Sequence, residues 1–463
     1  MTRTNNRALA NTPNNYVSVL DFGAVGDGVT NDAPAIQAAI DAAGNNKTVY
    51  FPGGRYLIQD PIILKIGSYL EGMPGGVAVD TDPVNGFKEG ACLYLSTTRS
   101  DGSAWTESVI NPAGHVYNGR VMFVCSPAGG GNRMANLMAI SLGANSNNST
   151  FMLTGTNASA PPYERGFLAQ HHAFNIRLFT FARGWHGGRM QDAWLVNIGT
   201  EQVQTVLSGG DLSRSANGWS SRWVNCIFWK YDVFATWPGT NVDCLFTNCD
   251  FVQRGGSYDF SFNNNVTGRA GFSNCNFSTP NLRWSQANIT GDLILNFDSC
   301  NFNGGSVGWI PDLTITQFRA LKFNNCTFKD CSLSHGAQLT SCPLQCTNNT
   351  FIGAASVQLK GGGLASYISG NDFTGVDSDV TSPITFRDGA LPNRIKVHNN
   401  LFRNDAVRPP INNAATQISF KDNLNMEDYE STVPWTPLIA RSGPVSPFAN
   451  GVDTGTTYEE ESN

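Results

Sequence analysis

A four-residue phrase recurs through the middle of this chain and fixes what it can fold into. Asn225-Cys226-Ile227-Phe228 returns as Asn248-Cys249-Asp250-Phe251, Asn274-Cys275-Asn276-Phe277, Ser299-Cys300-Asn301-Phe302 and Asn325-Cys326-Thr327-Phe328. It continues with Asn in place of Cys as Asn348-Asn349-Thr350-Phe351, Gly370-Asn371-Asp372-Phe373 and Asn399-Asn400-Leu401-Phe402, and Asp422-Asn423-Leu424-Asn425 is a degraded last copy. The Phe positions lie 23, 26, 25, 26, 23, 22 and 29 residues apart. A period of about 25 residues signals a solenoid.

Positions five residues before each Phe hold Trp223, Phe246, Phe272, Phe297, Phe323, Cys346, Ile368 and Val397, and Phe420 in the last copy. Seven residues before, Ser221, Cys244, Ala270, Leu295, Leu321 and Leu344 are small or apolar. Strand alternation puts both positions on the inward face of one strand, and the Cys or Asn and the Phe on the inward face of the next. Between them, Asn tolerates left-handed backbone, so Asn225, Asn248, Asn274, Asn325, Asn348 and Asn399 are expected to turn each coil and to bond amide to amide. A third strand about 17 to 20 residues before each Phe closes the coil. Its candidates include Tyr231-Asp232-Val233-Phe234, Tyr258 to Phe262, Leu282-Arg283-Trp284, Val357 to Lys360 and Ile384 to Arg387.

At 463 residues the chain exceeds one compact core, and the repeat favours a stack. Only 14% of residues are charged and Gly numbers 48, a composition of turns and short strands. The net charge of -6 argues against a nucleic-acid partner. No 18-residue apolar run and no signal-peptide core are visible, which predicts a chain made in the cytoplasm with no membrane insertion. Five of the 11 cysteines share one repeat position, and we read Cys226, Cys249, Cys275, Cys300 and Cys326 as reduced packing residues. There is no C-x-x-C pair to suggest zinc, and no metal or cofactor is expected.

Residues 1–15 read as a flexible attachment arm, 16–75 as an N-terminal cap with a short helix, 76–425 as the solenoid, and 426–463 as a proline-rich cap or interchain segment with an acidic tail. In the cap, Val17 to Phe22 reads as a strand, followed by a turn with Gly23, Gly26 and Gly28. Asn31 or Asp32 can cap a helix whose apolar face is Ile36, Ala39, Ile40 and Ala43, with Gly44 ending it. Asp21-Phe22-Gly23-Ala24-Val25-Gly26-Asp27-Gly28-Val29-Thr30-Asn31-Asp32 together with Val49-Tyr50-Phe51-Pro52-Gly53-Gly54-Arg55-Tyr56 resembles the N-terminal signature of the pectate-lyase-like superfamily, in particular bacteriophage tailspikes and polysaccharide depolymerases. That resemblance implies an all-β, right-handed single-stranded parallel β-helix with three strands per coil and a short capping helix. It also implies a homotrimeric virion tail protein, assembled in the host cytoplasm, that binds a bacterial surface polysaccharide and contacts other tail or baseplate proteins through its N-terminal arm. The signature speaks for fold rather than chemistry, so its Asp and Gly residues are expected to make turns and caps.

Two groups of side chains are candidates for chemistry. If Tyr231, Tyr258 and Leu282 point inward, then Asp232, Asp259 and Arg283 form one outward column on coils about 4.8 Å apart. Two carboxyls at about 5 Å suit retaining glycoside hydrolysis, and about 6.5 to 9.5 Å suits inversion. The second group is His171-His172 and Trp185 to Asp192, with His186, Arg189 and Asp192, followed by Glu201 and Asp211. Such groups can abstract a proton beside a uronate carboxyl or serve as hydrolase acids. Both carboxylate sets equally fit plain surface or turn residues. Trp185, Trp219, Trp229, Trp237, Trp284 and Trp309 are candidates to stack on sugar rings or to be buried between subunits. The competing readings are a non-enzymatic structural or receptor-binding virion protein and a bacterial pectin-type hydrolase or lyase.

Overall fold

The computed structural model describes residues 15–75, 90–105, 108–109, 116–117, 119–125, 131–143, 148–154, 168–187, 190–209, 218–237, 241–254, 260–262, 267–278, 281–285, 293–309, 318–335, 344–359, 366–380, 382–386, 395–404, 418–425 and 429–431. The arm before residue 15 and most of the segment after 425 lie outside that set. The fold is the expected right-handed parallel β-helix, nearly all strand with one α-helix. The chain forms two compact units, Met1–Ala235 and Thr236–Asn463.

In the first unit the capping helix, α1, spans Ala33–Ala43 and buries Ala33, Ile36, Ala39, Ile40 and Ala43. Gly44 ends it, its N–H bonding to the Ile40 carbonyl at 3.2 Å. Asp32 does not cap α1. Its carboxylate accepts from the backbone N–H groups of Val25 and Gly26 at 2.6 and 3.2 Å, while the Asn31 side chain accepts from Ala33 N–H. Asp32 therefore holds the glycine turn, and of the two candidate caps it is Asn31 that takes up the first N–H of α1. The strand expected over Val17 to Phe22 is shorter, Tyr16–Ser18, because the Ser18 hydroxyl accepts from Leu20 N–H and starts a single 3-10 turn over Val19–Phe22.

Beyond the cap, each coil of this unit has a first strand, a left-handed corner, a second strand, and a third strand. Arg133–Ser141 and His172–Phe179 run through the corner without a break, whereas Met190–Val196 and Gly199–Glu201 flank it as separate strands. Asn136, Asn175 and Asn197 occupy the corner at φ of 57, 53 and 55°. Their amides bond in series, Asn175 to Asn136 at 2.9 Å and Asn197 to Asn175 at 3.0 Å. A second left-handed corner, at Thr180, Gln202 and Lys230, leads into the third strands. The third strands Arg120–Cys125, Ser149–Thr154, Arg183–Gly187 and Thr205–Gly209 pair in parallel, with Phe123, Met152, Trp185 and Leu207 in register and buried. Trp185 is thus a core residue, edge-on to Trp223 at 5.3 Å, and is not one of the sugar-stacking candidates.

The second unit shows the repeat most plainly. Phe246, Phe272, Phe297 and Phe323 stack ring on ring at 4.7–4.9 Å, as do Phe251, Phe277, Phe302, Phe328, Phe351, Phe373 and Phe402 at 4.5–5.1 Å. Members of the two columns meet edge to face. The corner holds Asn248, Asn274, Ser299, Asn325, Asn348 and Asn399 at φ of 52–56°, and Asn274 donates to Asn248 at 2.7 Å. Behind the corner lies a buried polar column. Cys275, Cys300 and Cys326 donate their thiols to the carbonyls of Phe246, Phe272 and Phe297, one coil earlier.

Where Asn replaces Cys, the amide makes the same reach. Asn349, Asn371, Asn400 and Asn423 donate to the carbonyls of Phe323, Cys346, Ile368 and Val397 at 2.7–3.1 Å. Asn349, Asn371 and Asn400 each also donate to the next Asn of the column at 2.9–3.0 Å, ending at Asn423. The last coil ends differently. Tyr429–Ser431 pairs antiparallel with Ile418–Lys421.

Replacing Asn371 by Leu should destabilise the protein by about 3–5 kcal/mol, because it takes the Asn371 partner from the buried Asn349 backbone N–H and from the Cys346 carbonyl and breaks the amide column. Urea denaturation measures this. A loss below about 1 kcal/mol, the size expected for an exposed substitution such as Thr374→Ala, refutes it.

Candidate functional site

The third strands of the first unit build a face whose character changes along the stack. Their outward column runs Ile63, Val124, Leu153, His186 and Ser208. Val124 and Leu153 pack with Val121 in a small buried cluster, so the early coils are covered. Polar groups take over at His186. Its Nδ1 lies 3.0 Å from Ser208 Oγ and 3.1 Å from the Ser208 carbonyl oxygen.

A surface depression of about 460 Å³ opens where three consecutive third strands begin, lined by Asn148, Ala182, Arg183, Gln204 and Thr205. That volume falls in the range of roughly 300–1,000 Å³ typical of small-molecule clefts. The Arg183 guanidinium reaches Asn148 Oδ1 with both terminal nitrogens at 3.3 Å, and Arg183 pairs in register with Thr205. Except for Ala182, the lining offers hydrogen-bonding groups. It suits a hydroxyl-rich or carboxylated ligand.

The electrostatics follow from burial. His186 is held down at about 4, first by burial and then by the nearby Arg183 guanidinium, so its imidazole is neutral at neutral pH. A neutral imidazole on the same strand as a guanidinium held by Asn148 offers a proton acceptor and a carboxylate-binding group for chemistry at a carbon next to a carboxylate. Arg183, Ser208 and Thr205 were not singled out by the sequence. Their signal was available in the spacing, since the pairs Arg183–Thr205 and His186–Ser208 sit one coil apart.

The predicted residues are dispersed. Asp232 lies in the bend before the strand Val233–Trp237, because its N–H and that of Val233 both bond the Gln204 carbonyl, at 3.1 and 2.8 Å. Tyr231 ends the preceding second strand, and Phe234 is the inward residue. Asp232 therefore stands beside the depression at Gln204 and is not a member of an outward strand column. Asp259, Arg189 and Asp211 lie outside the described residues. Arg283 and Trp284 lie on Asn281–Ser285, in register with Gly308 and Trp309, and Trp237 ends its strand; the side chains of these three fall outside the described part.

Glu201 is on the second-strand face, 3.8 Å from Lys230 Nζ, which sits 4.3 Å from the centre of the Trp229 ring. Asp192 is exposed on a left-handed bulge of the first-strand face, at φ 52°. Asp192, Glu201 and His186 thus occupy three different faces. His172 points outward, whereas His171 is fully buried with neither ring nitrogen hydrogen-bonded. Among the described residues, no group of three His, Cys, Asp or Glu side chains is placed to hold a metal, and no helix is long and apolar enough to cross a membrane.

Comparison with known proteins accords with this architecture. Residues 16–206 match the family model for rhamnogalacturonase A/epimerase, pectate lyase-like, and residues 217–373 match the right-handed β-helix region. The chain is a right-handed β-helix protein, pectate lyase-like over residues 16–206. Among sequences, it is 50% identical over 58 residues to the plasmin and fibronectin-binding protein A of Streptococcus pneumoniae (strain ATCC BAA-255 / R6), a match covering 12% of this chain and 8% of that protein. The solved A-module of the Azotobacter vinelandii mannuronan C-5 epimerase AlgE4 is 16% identical, with 88% of this chain and 95% of that one covered and a TM-score of 0.40. The gp42 tailspike of Acinetobacter phage vb_AbaP_AS12 is 11% identical, with 93% and 66% covered and a TM-score of 0.47.

This β-helix protein should lose stability on acidification through two histidines. His171, lowered to about 3 by burial and then by His172, and His186, at about 4, both sit below the ordinary value of 6.5. The unfolded chain takes up their protons first, so their contribution is full above pH 6.5 and falls as pH drops towards 4 and 3. Between pH 7.5 and 4.5 the fully buried His171 accounts for about 2–3 kcal/mol of that loss. Thermal melts at the two pH values should therefore differ less for His171→Leu than for the wild type, and an equal difference refutes the assignment.

Proposed function

We propose that this protein binds an acidic bacterial surface polysaccharide on the third-strand face of its first unit and acts on it there. The observation that carries this reading is the polar depression of about 460 Å³ lined by Arg183, with His186 three residues further along the same strand. Arg183 holds a uronate carboxylate, which stabilises negative charge as it develops on the neighbouring carbon. His186 accepts the proton from that carbon. The electron pair then forms the ring double bond as the glycosidic oxygen leaves, giving an unsaturated sugar end. In this reading Asp232, whose backbone N–H bonds the Gln204 carbonyl at the edge of the depression, is the group that returns a proton to the leaving oxygen. The resemblance of the 16–75 segment to tailspikes and depolymerases, and the pectate lyase-like family model over 16–206, support the polysaccharide class.

Arg183→Met should weaken binding of a carboxylated glycan such as polygalacturonate or alginate by tenfold or more, and His186→Gln should abolish the appearance of unsaturated ends while sparing binding. Calorimetry and ultraviolet absorbance of the double bond read the two effects. If the wild-type protein binds such glycans without ever producing unsaturated ends, the binding half stands alone and this is a receptor-binding rod.

The tail setting is the second part of the proposal and rests on the N-terminal resemblance. In this proposal the protein is a homotrimer in a virion tail, and its first 15 residues contact other tail or baseplate proteins. Light scattering of the purified chain should give about three times the mass of 49.9 kDa. A monomer at micromolar concentration contradicts it.

A further inference from the structure

The first-strand face of the first unit carries an arrangement that the depression does not use. Its strands pair in parallel so that Tyr69, Arg133, His172, Trp194 and Arg222 stand in register on consecutive coils. All five point outward, since Leu70, Met134, Ala173, Leu195 and Trp223, each the next residue along, are buried. Trp194 is 50% exposed, and Phe174, two residues along from His172 and edge-on to it at 6.3 Å, is 38% exposed. Core-forming alternation explains none of this exposure. Such large aromatics on water mark a contact surface.

We propose that this column is a second glycan site, a rail for an acidic polysaccharide lying along the solenoid axis. The inference rests on the reading above only for the class of ligand. One residue is presented per coil, at about 4.8 Å, a step comparable with the length of one sugar residue in an extended chain. Aromatic and cationic side chains are interspersed along it. Trp194 and Tyr69 offer planes for the apolar faces of pyranose rings, and Arg133 and Arg222 offer guanidinium forks to carboxylates. The carboxylates of this face stand off the column. Glu71 is one residue pair aside and engaged by the Tyr16 hydroxyl at 3.4 Å, and Asp192 sits on the bulge before Trp194.

The corner amides Asn136, Asn175 and Asn197 form a fixed polar ridge along one border. Those amides are held by one another, so the column is preorganised and little order is lost when a chain settles on it. A neutral glycan would use the aromatic planes but leave the guanidiniums unmatched.

The test uses the full chain in the Arg183→Met background, which silences the depression, with polygalacturonate and its neutral methyl ester as probes. Binding of polygalacturonate should persist in that background and exceed binding of the ester. Adding W194A and R133M should weaken it by at least about tenfold, with the far-ultraviolet spectrum and melting temperature unchanged because both side chains face outward. Loss of all binding in Arg183→Met alone overturns the rail and leaves the depression standing. Equal binding before and after W194A and R133M overturns the rail as well. No binding of either polymer by the wild type overturns both sites, and a fall in oligomer mass on adding W194A and R133M shows a subunit contact in place of a rail.

Discussion

The corner asparagine sets the rest of the structure. At Asn136, Asn175 and Asn197 in the first unit, and at Asn248, Asn274, Asn325, Asn348 and Asn399 in the second, one residue at this corner of the coil holds the left-handed conformation. An L-residue resists that backbone, and Asn accepts it best because its short amide bonds locally. Once each coil turns at the same residue, the flanking strands stay in register. Register in turn superimposes Phe on Phe at stacking distance and puts every inward carbonyl where a thiol or amide can reach it. Ser299 and Asp422 hold the same geometry without the Asn side chain, which indicates that neighbouring coils can impose the turn once it is established.

The inner column behind the corner solves a separate problem. A tight turn leaves inward carbonyls that water cannot reach, and each needs a donor. Cys supplies one weak donor and fills the space as a small apolar group. Asn supplies stronger donors plus an acceptor, so it ties each coil to both neighbours. The switch from Cys to Asn at residue 349 therefore changes the chemistry of the column from mainly packing to a continuous hydrogen-bonded chain, with no change of fold.

Much of this was legible because it is local and repeated. The period, the inward Phe and its partner five residues back, and the buried face of α1 all follow from spacing. The second corner was not legible, since Thr180, Gln202 and Lys230 have no preference for left-handed backbone. They are held there by the stack, Thr180 N–H bonding the Glu201 carbonyl and Gln202 N–H the Trp229 carbonyl. Missing that corner shifted the third strand by a residue or two and placed Asp232 on a strand. The same shift hid Arg183 and Ser208, whose importance depends on which coils their strands adjoin. Trp185 and Trp194 show the limit for aromatics, because composition cannot say which of two tryptophans nine residues apart is core and which is surface.

The strand Tyr429–Ser431 runs antiparallel to its neighbour Ile418–Lys421, whereas the other described pairings of that sheet are parallel. A parallel coil ends in a row of unpaired backbone groups identical in kind to the row at its start, a template that another coil, its own or a foreign one, can extend. A reversed strand reads the same hydrogen bonds but cannot lead into a further right-handed turn. Such a strand closes the edge it pairs with, so the number of coils upstream can change by whole repeats while this edge stays covered.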